Sequence, residues 1–293
     1  MNLRIKIFLF FIIVIFPGAL KSQFYNGLQM EFGKNRVQYI DFLWQYYRFE
    51  KFDTYFYVNG PELAEATARI AMEKIDEVES FFNYSLDKRI IFIIYNKHSD
   101  FKQSNIGLVT GKPEYNIGGV TKIVNNKIFL FYEGNHIAYE KQVKAAVTEI
   151  MLNQLMLGND IKDKITNSAL LNFPEWYIQG LISYLSAPYD LETENKIKDG
   201  IISGRYEKFS KLRDEDAKIA GHSIWAYIAD IYGKQVIPNI IYLARVTKNV
   251  DNGFMYVLGV PLKTLTEEWM NYYRNLYETG EKIRSLPQKK PLV

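Results

Sequence analysis

Apolar residues fill most of the helical circumference over 143–157, VKAAVTEIMLNQLML, which is the pattern of a buried helix and not of a surface one. Upstream, the turn Asn59-Gly60-Pro61 opens a second helical pattern over 62–82. There Leu63, Ala66, Ile70, Ile75, Val78 and Phe81 recur at roughly helical spacing, while Glu65, Arg69, Glu73, Lys74, Glu77 and Glu79 are expected mostly in solvent. Strand patterns fall at 52–58, 90–95, 119–124 and 127–132, the last two joined by Asn125-Asn126 as a tight hairpin. The aromatic run FDTYFYV is read as sheet and core, and 96–119 as a loop. From Ala138 the chain is almost wholly helical, with further helices expected at 161–171, 174–185, 191–203, 216–232, 236–246, 253–258 and 262–277. Strands first and helices afterwards predict an α+β fold.

A carboxylate, Glu149, interrupts the apolar helix. In a helix of the HExxH type two histidines at i and i+4 share a face and hold zinc, and the glutamate beside the first is general base to a metal-bound water. Here the two ligand slots are Thr148 and Leu152. Residues 147–158 followed by 174–184, PEWYIQGLISY, resemble the HExxH helix and the downstream W-x-x-EG-x-x-x-Y segment of the gluzincin, or peptidase-MA-like, metalloproteases. GHSIWAYIADIYG and GVPLKTLTEEWMNYY resemble later helices of the same family, so the likeness extends over most of 55–277. It implies a zincin-like fold, a small mixed β-sheet with a long helix followed by a mainly helical subdomain. It also implies a sheet whose edge strand receives extended peptide. Similar exported bacterial proteins carry such a domain ahead of a β-propeller; with no propeller here, the chain is expected to be a short relative or a truncated module.

In that family the glutamate of the second segment is the third zinc ligand, and this chain has Gln179 there. With Thr148, Leu152 and Gln179 in the three slots, the family's chemistry does not carry over: no catalytic residue, no metal ligand and no cofactor is assigned. Neutral imidazoles and a carboxylate left without metal would be buried and unsatisfied, at roughly 1 to 3 kcal/mol each, so a non-catalytic descendant has reason to lose all the ligands together. Glu149 is either an inherited residue with a partner such as Gln179 or a solvated carboxylate in a polar stripe with Gln142 and Asn153. The only histidines are His98, His136 and His222, read respectively as lying in a loop, before the central helix and near a later helix start; none pairs with another at i+3 or i+4. No G-x-S-x-G occurs, and Ser183 is read as helix packing. The candidate groove is Glu149, Gln179, Tyr184 and His222.

The first residues alter the expected location. Arg4 and Lys6 precede an apolar run over 7–16, a Pro17-Gly18 break and the small residue Ser22, which is a secretory signal peptide with a run too short to span a membrane; an uncleaved anchor is the alternative. Residues 1–22 are assigned to it, 23–135 to a sheet subdomain, 136–280 to a helical subdomain with the degenerate helix, and 281–293 to a basic tail or linker. The formal charge of +3 misleads, because losing Arg4, Lys6 and Lys21 leaves 33 basic against 33 acidic residues, which argues against a nucleic-acid partner. Without cysteine the chain has no disulfide, thiolate metal site or lipoprotein anchor. The expectation is an exported pseudopeptidase module with no integral membrane span when mature. It would sit in the periplasm, at the outer membrane or outside the cell, and bind a protein or peptide partner in an envelope or surface assembly. The alternative is a zinc-dependent metallopeptidase, or another hydrolase, with unconventional ligands.

Overall fold

In the computed structural model, which describes residues 38–104, 120–124, 126–157, 173–187 and 189–283, a five-stranded mixed sheet is followed by a set of helices, an α+β arrangement. The strands are β1 (Gln45–Arg48), β2 (Phe52–Phe56), β3 (Ile90–Tyr95), β4 (Val120–Val124) and β5 (Lys127–Phe131), in the spatial order β1-β2-β3-β5-β4. The central three run parallel, and each outer strand is antiparallel to its neighbour. Helix α1 (Pro61–Phe82) makes the crossover from β2 to β3 that parallel pairing requires.

The unbroken apolar run of β3, IIFIIY, suits a strand covered on both faces. Ile90, Phe92 and Ile94, with Ile128 and Leu130 of β5, belong to the main core beneath α1 and α3 (His136–Leu157). The alternate residues Ile93, Tyr95, Phe129 and Phe131 form a separate aromatic layer with Phe42, Tyr57 and Phe101. FDTYFYV is accordingly core as far as Tyr57, while the strand ends at Phe56 and Val58 is exposed. Its one charge, Asp53, is buried at 2% exposure and is clamped by Arg48, through Nε at 3.1 Å and Nη2 at 3.1 Å, and by Arg89 at 3.2 Å.

Helix α3 is central. Thr67 of α1 shares a buried hydrogen bond of 2.8 Å with Tyr139, while α4 (Glu175–Ser186) packs along another side of α3. The remaining helices are α5 (Leu191–Ile202), α6 (Asp214–Tyr232), α7 (Val236–Thr247), α8 (Val250–Leu258) and α9 (Leu262–Ile283). α4 and α6 cross at two glycines. A Cβ on Gly180 would stand 2.4 Å from the Gly221 backbone, and one on Gly221 would stand 2.2 Å from the Trp176 carbonyl oxygen. Around that crossing Trp176, Tyr177, Trp225 and Phe254 pack ring against ring, and Trp225 Nε1 donates to the Tyr177 carbonyl at 3.0 Å.

Several sequence expectations are corrected. β1 was not foreseen, because QYYR lies at the sheet margin with only Tyr47 half-buried and shows no alternation. His98 starts a short helix, α2 (His98–Phe101), and is not in a loop; His136 is the first residue of α3; His222 lies in the middle of α6. Lys74 is buried, not solvated, because Glu73 at 2.7 Å, Glu140 at 2.8 Å and Glu77 at 3.6 Å gather around its ammonium. α9 continues to Ile283, into the segment read as tail. The signal peptide, the helix at 161–171, Asn125 and most of the 96–119 loop lie outside the described residues. Among the described residues no helix is long and apolar enough to cross a membrane.

The glycine crossing gives a stability prediction. Gly180→Ala or Gly221→Ala forces backbone apart, so each should cost about 3 kcal/mol or more, beyond ordinary overpacking, in urea unfolding. Tyr177→Phe, in the same layer, should do the reverse. Among the described residues the buried Tyr177 hydroxyl has no hydrogen-bond partner, so its removal should leave stability unchanged or raise it by about 1 kcal/mol.

Candidate functional site

The face of α3 that would carry zinc ligands is sealed. Thr148 and Leu152 are 0% and 1% exposed, with Met151 and Leu155 buried beside them. The Thr148 hydroxyl donates to the Lys144 carbonyl one turn back at 2.8 Å, so its hydrogen is satisfied within the helix. Gln179 and Glu149 are half-buried on α4 and α3. Among the described residues no three His, Asp or Glu side chains gather in a way that could hold a metal. His98 stacks on Phe131 at 4.5 Å with Nδ1 3.6 Å from Glu133, and His136 Nε2 lies 2.9 Å from the Tyr132 hydroxyl.

Of the four groove candidates, the structure brings two together. Tyr184 and His222 meet edge to face at 5.9 Å in a cleft of about 540 Å³. Its walls are α1 (Lys74, Glu77, Phe81), the first half of α3 (Ile137, Glu140, Lys141, Lys144), the end of α4 with the residues after it (through Tyr189), and α6. Glu149 and Gln179 do not line it. The α3 contribution follows from helical geometry, since 137, 140, 141 and 144 fall on one stripe while 149 is turned well away from it.

Ionic ties set the width of this cleft. Lys74 bonds Glu140 of α3, and Lys144 of α3 bonds Glu77 of α1. Burial alone would lower the Lys74 pKa, but its hydrogen bonds to Glu140 and Glu73 outweigh burial and raise it, so the ammonium stays charged. Across the cleft Lys141 lies 3.7 Å from Asp190, the residue whose carboxylate caps α5 by accepting from the Thr193 N–H.

Sequence reasoning missed the contact at the floor. Ser183 Oγ and His222 Nδ1 are 3.0 Å apart, both buried, next to the glycine crossing. The available signal was positional, because two helices meeting at Gly180 and Gly221 must bring Ser183 and His222 into reach. Burial pushes the His222 pKa down to about 4, helped by the Lys218 ammonium one turn away and opposed by Asp190. The imidazole is therefore neutral near pH 7. Ser183 as general-base-activated nucleophile is not supported by this pairing, since it occupies a mid-helix position whose neighbouring amides are engaged in the helix.

The His222 pKa carries a pH prediction. An unfolded histidine takes up a proton near pH 6.5, whereas the folded His222 refuses it until about pH 4, so stability is lost as pH falls through that window. Between pH 7 and pH 5 His222 should account for about 2 kcal/mol of lost stability. Comparing urea midpoints of the natural protein and His222→Gln over that range tests this, and parallel pH profiles would refute it. In comparisons with known protein families and with curated proteins, no family model and no curated protein matches this chain.

Proposed function

We propose that the chain is an exported, non-catalytic peptidase-like module of gluzincin type that binds a protein or peptide partner in an envelope or surface assembly. The observation that supports the reading is a mixed sheet followed by a long helix whose positions 148 and 152, the ligand slots under the resemblance, are buried. Three parallel strands are flanked by the antiparallel outer strand β4, the long helix α3 follows β5 and packs against β4 and β5, and the two ligand positions on α3 are buried as Thr148 and Leu152. An outer antiparallel strand of this kind can take an extended polypeptide by main-chain pairing, and that mode of recognition needs no catalytic group. The zincin-like assignment rests on this layout together with the resemblance of 147–158 and 174–184. The first 22 residues support export.

The motif residues that remain are those with packing roles. Trp176 is in the aromatic layer, Gly180 makes the helix crossing and Tyr184 walls the cleft, whereas the positions whose value lay in chemistry hold Thr148, Leu152 and Gln179.

Metal content and crosslinking together test the proposal. Protein purified at neutral pH should hold well under about one-tenth equivalent of zinc, and Glu149→Gln should leave partner binding unchanged. A photo-crosslinking residue in place of Lys122 on β4 should trap a partner in the native envelope, and one in place of Arg69 on the exposed side of α1 should not. Stoichiometric zinc with a peptidase activity lost in Glu149→Gln would show the chain to be an enzyme with unconventional ligands.

A further inference from the structure

The unengaged polar groups of the cleft share one character. Ser183 Oγ has only His222 as a side-chain hydrogen-bond partner among the described residues, and its buried hydrogen finds an acceptor there when it is donated to Nδ1. A neutral imidazole that accepts at Nδ1 carries its own hydrogen on Nε2. Nε2 has no protein partner among the described residues, and His222 lines the cleft. Lys234, at the rim, forms no ion pair among the described residues, and Lys141 is held only at 3.7 Å from Asp190. Lys74 and Lys144 are already satisfied by Glu73, Glu77 and Glu140. What remains is a set of donors, two of them cationic, above the apolar surfaces of Tyr184, Leu185 and Ile137.

We infer that this cleft is a recognition site, separate from β4, for a carboxylate group of a peptide, with the oxygens meeting His222 Nε2–H, Lys141 and Lys234 and an adjoining apolar side chain resting against Tyr184 and Leu185. The inference rests on the reading of the chain as a binding module and names a chemistry for the partner. A volume near 540 Å³ suits a few peptide residues and not a folded domain. Neutral His222 matters here, because it donates one directed hydrogen bond without adding a third charge that Asp190 would attract. Three acids stand against the ligand: Glu77 and Glu140 are paired with Lys144 and Lys74, and the Asp190 carboxylate is occupied by the Thr193 amide and drawn toward Lys141.

The carboxylate can come from an acidic side chain or from a chain terminus, and three heptapeptide pools distinguish them. The first has glutamate alternating with mixed apolar residues and an amidated end, the second has glutamine with a free C-terminal carboxylate, and the third has glutamine with an amidated end. With only three histidines in the chain, side-chain ¹H–¹⁵N spectra of the full mature protein can follow His222 directly. Without peptide, His222 should show the Nε2–H tautomer at pH 7. The first or second pool should shift its Nε2 signal, the third should not, and Lys141→Glu combined with Lys234→Glu should weaken the response by about tenfold. The inference is overturned if all three pools shift His222 alike, if none does, or if the double charge reversal, shown to be folded by its unchanged unfolding midpoint, responds as the natural protein does. A partner trapped at Lys122 with His222 silent would defeat this inference and leave the strand-pairing proposal standing; a His222 response with nothing trapped at Lys122 would do the opposite.

Discussion

The backbone contact between Gly180 and Gly221 fixes much of the helical half. With no side chain at either position α4 and α6 approach closely enough for Trp225 to reach past its own helix and donate to the Tyr177 carbonyl. The same approach brings Ser183 to bonding distance of His222 and sets Tyr184 edge-on to the imidazole. It also settles where the large rings go. Trp176, Tyr177, Trp225 and Phe254 fill the space on either side of the contact, so the crossing gains dispersion from rings that could not pack so closely on helices held farther apart. A methyl group at either glycine would separate all of these contacts at once.

How much of this was legible depended on which force shaped each element. The unbroken apolar run located β3 to the residue because both its faces are covered, and apolar periodicity located α1 and α4 to within one residue at either end because each helix buries one consistent face. It failed for β1, where pairing with β2 and the Arg48–Asp53 bridge, and not burial, hold the strand. It failed for Lys74 because helical spacing reports which residues share a face but not which charges arrive from another helix. Glu140 lies 66 positions away, and only the packing of α3 on α1 makes the burial of an ammonium tolerable. The four groove candidates divide for the same reason. Tyr184 and His222 meet through the glycine crossing, whereas Glu149 and Gln179 were grouped with them by their places in a motif.

The two halves of α3 have opposite characters along a single stripe, and that bears on where function can reside. Along 148, 151, 152 and 155 the helix is closed, its one hydroxyl turned back on its own carbonyl. Along 137, 140, 141 and 144 it is open to the cleft, with charges matched across to α1. The two sets lie one above the other on the same side of the helix, eleven residues apart, so what separates them is the elements that pack along the length of α3 and not the direction in which they face. Two surfaces beside α3 are then left for recognition: the outer strand β4 on the sheet side and the donor-lined cleft between α1, α4 and α6. The first would read a partner's backbone and the second a carboxylate. A partner engaging both would be selected by charge as well as by extension, a specificity that strand pairing alone does not supply.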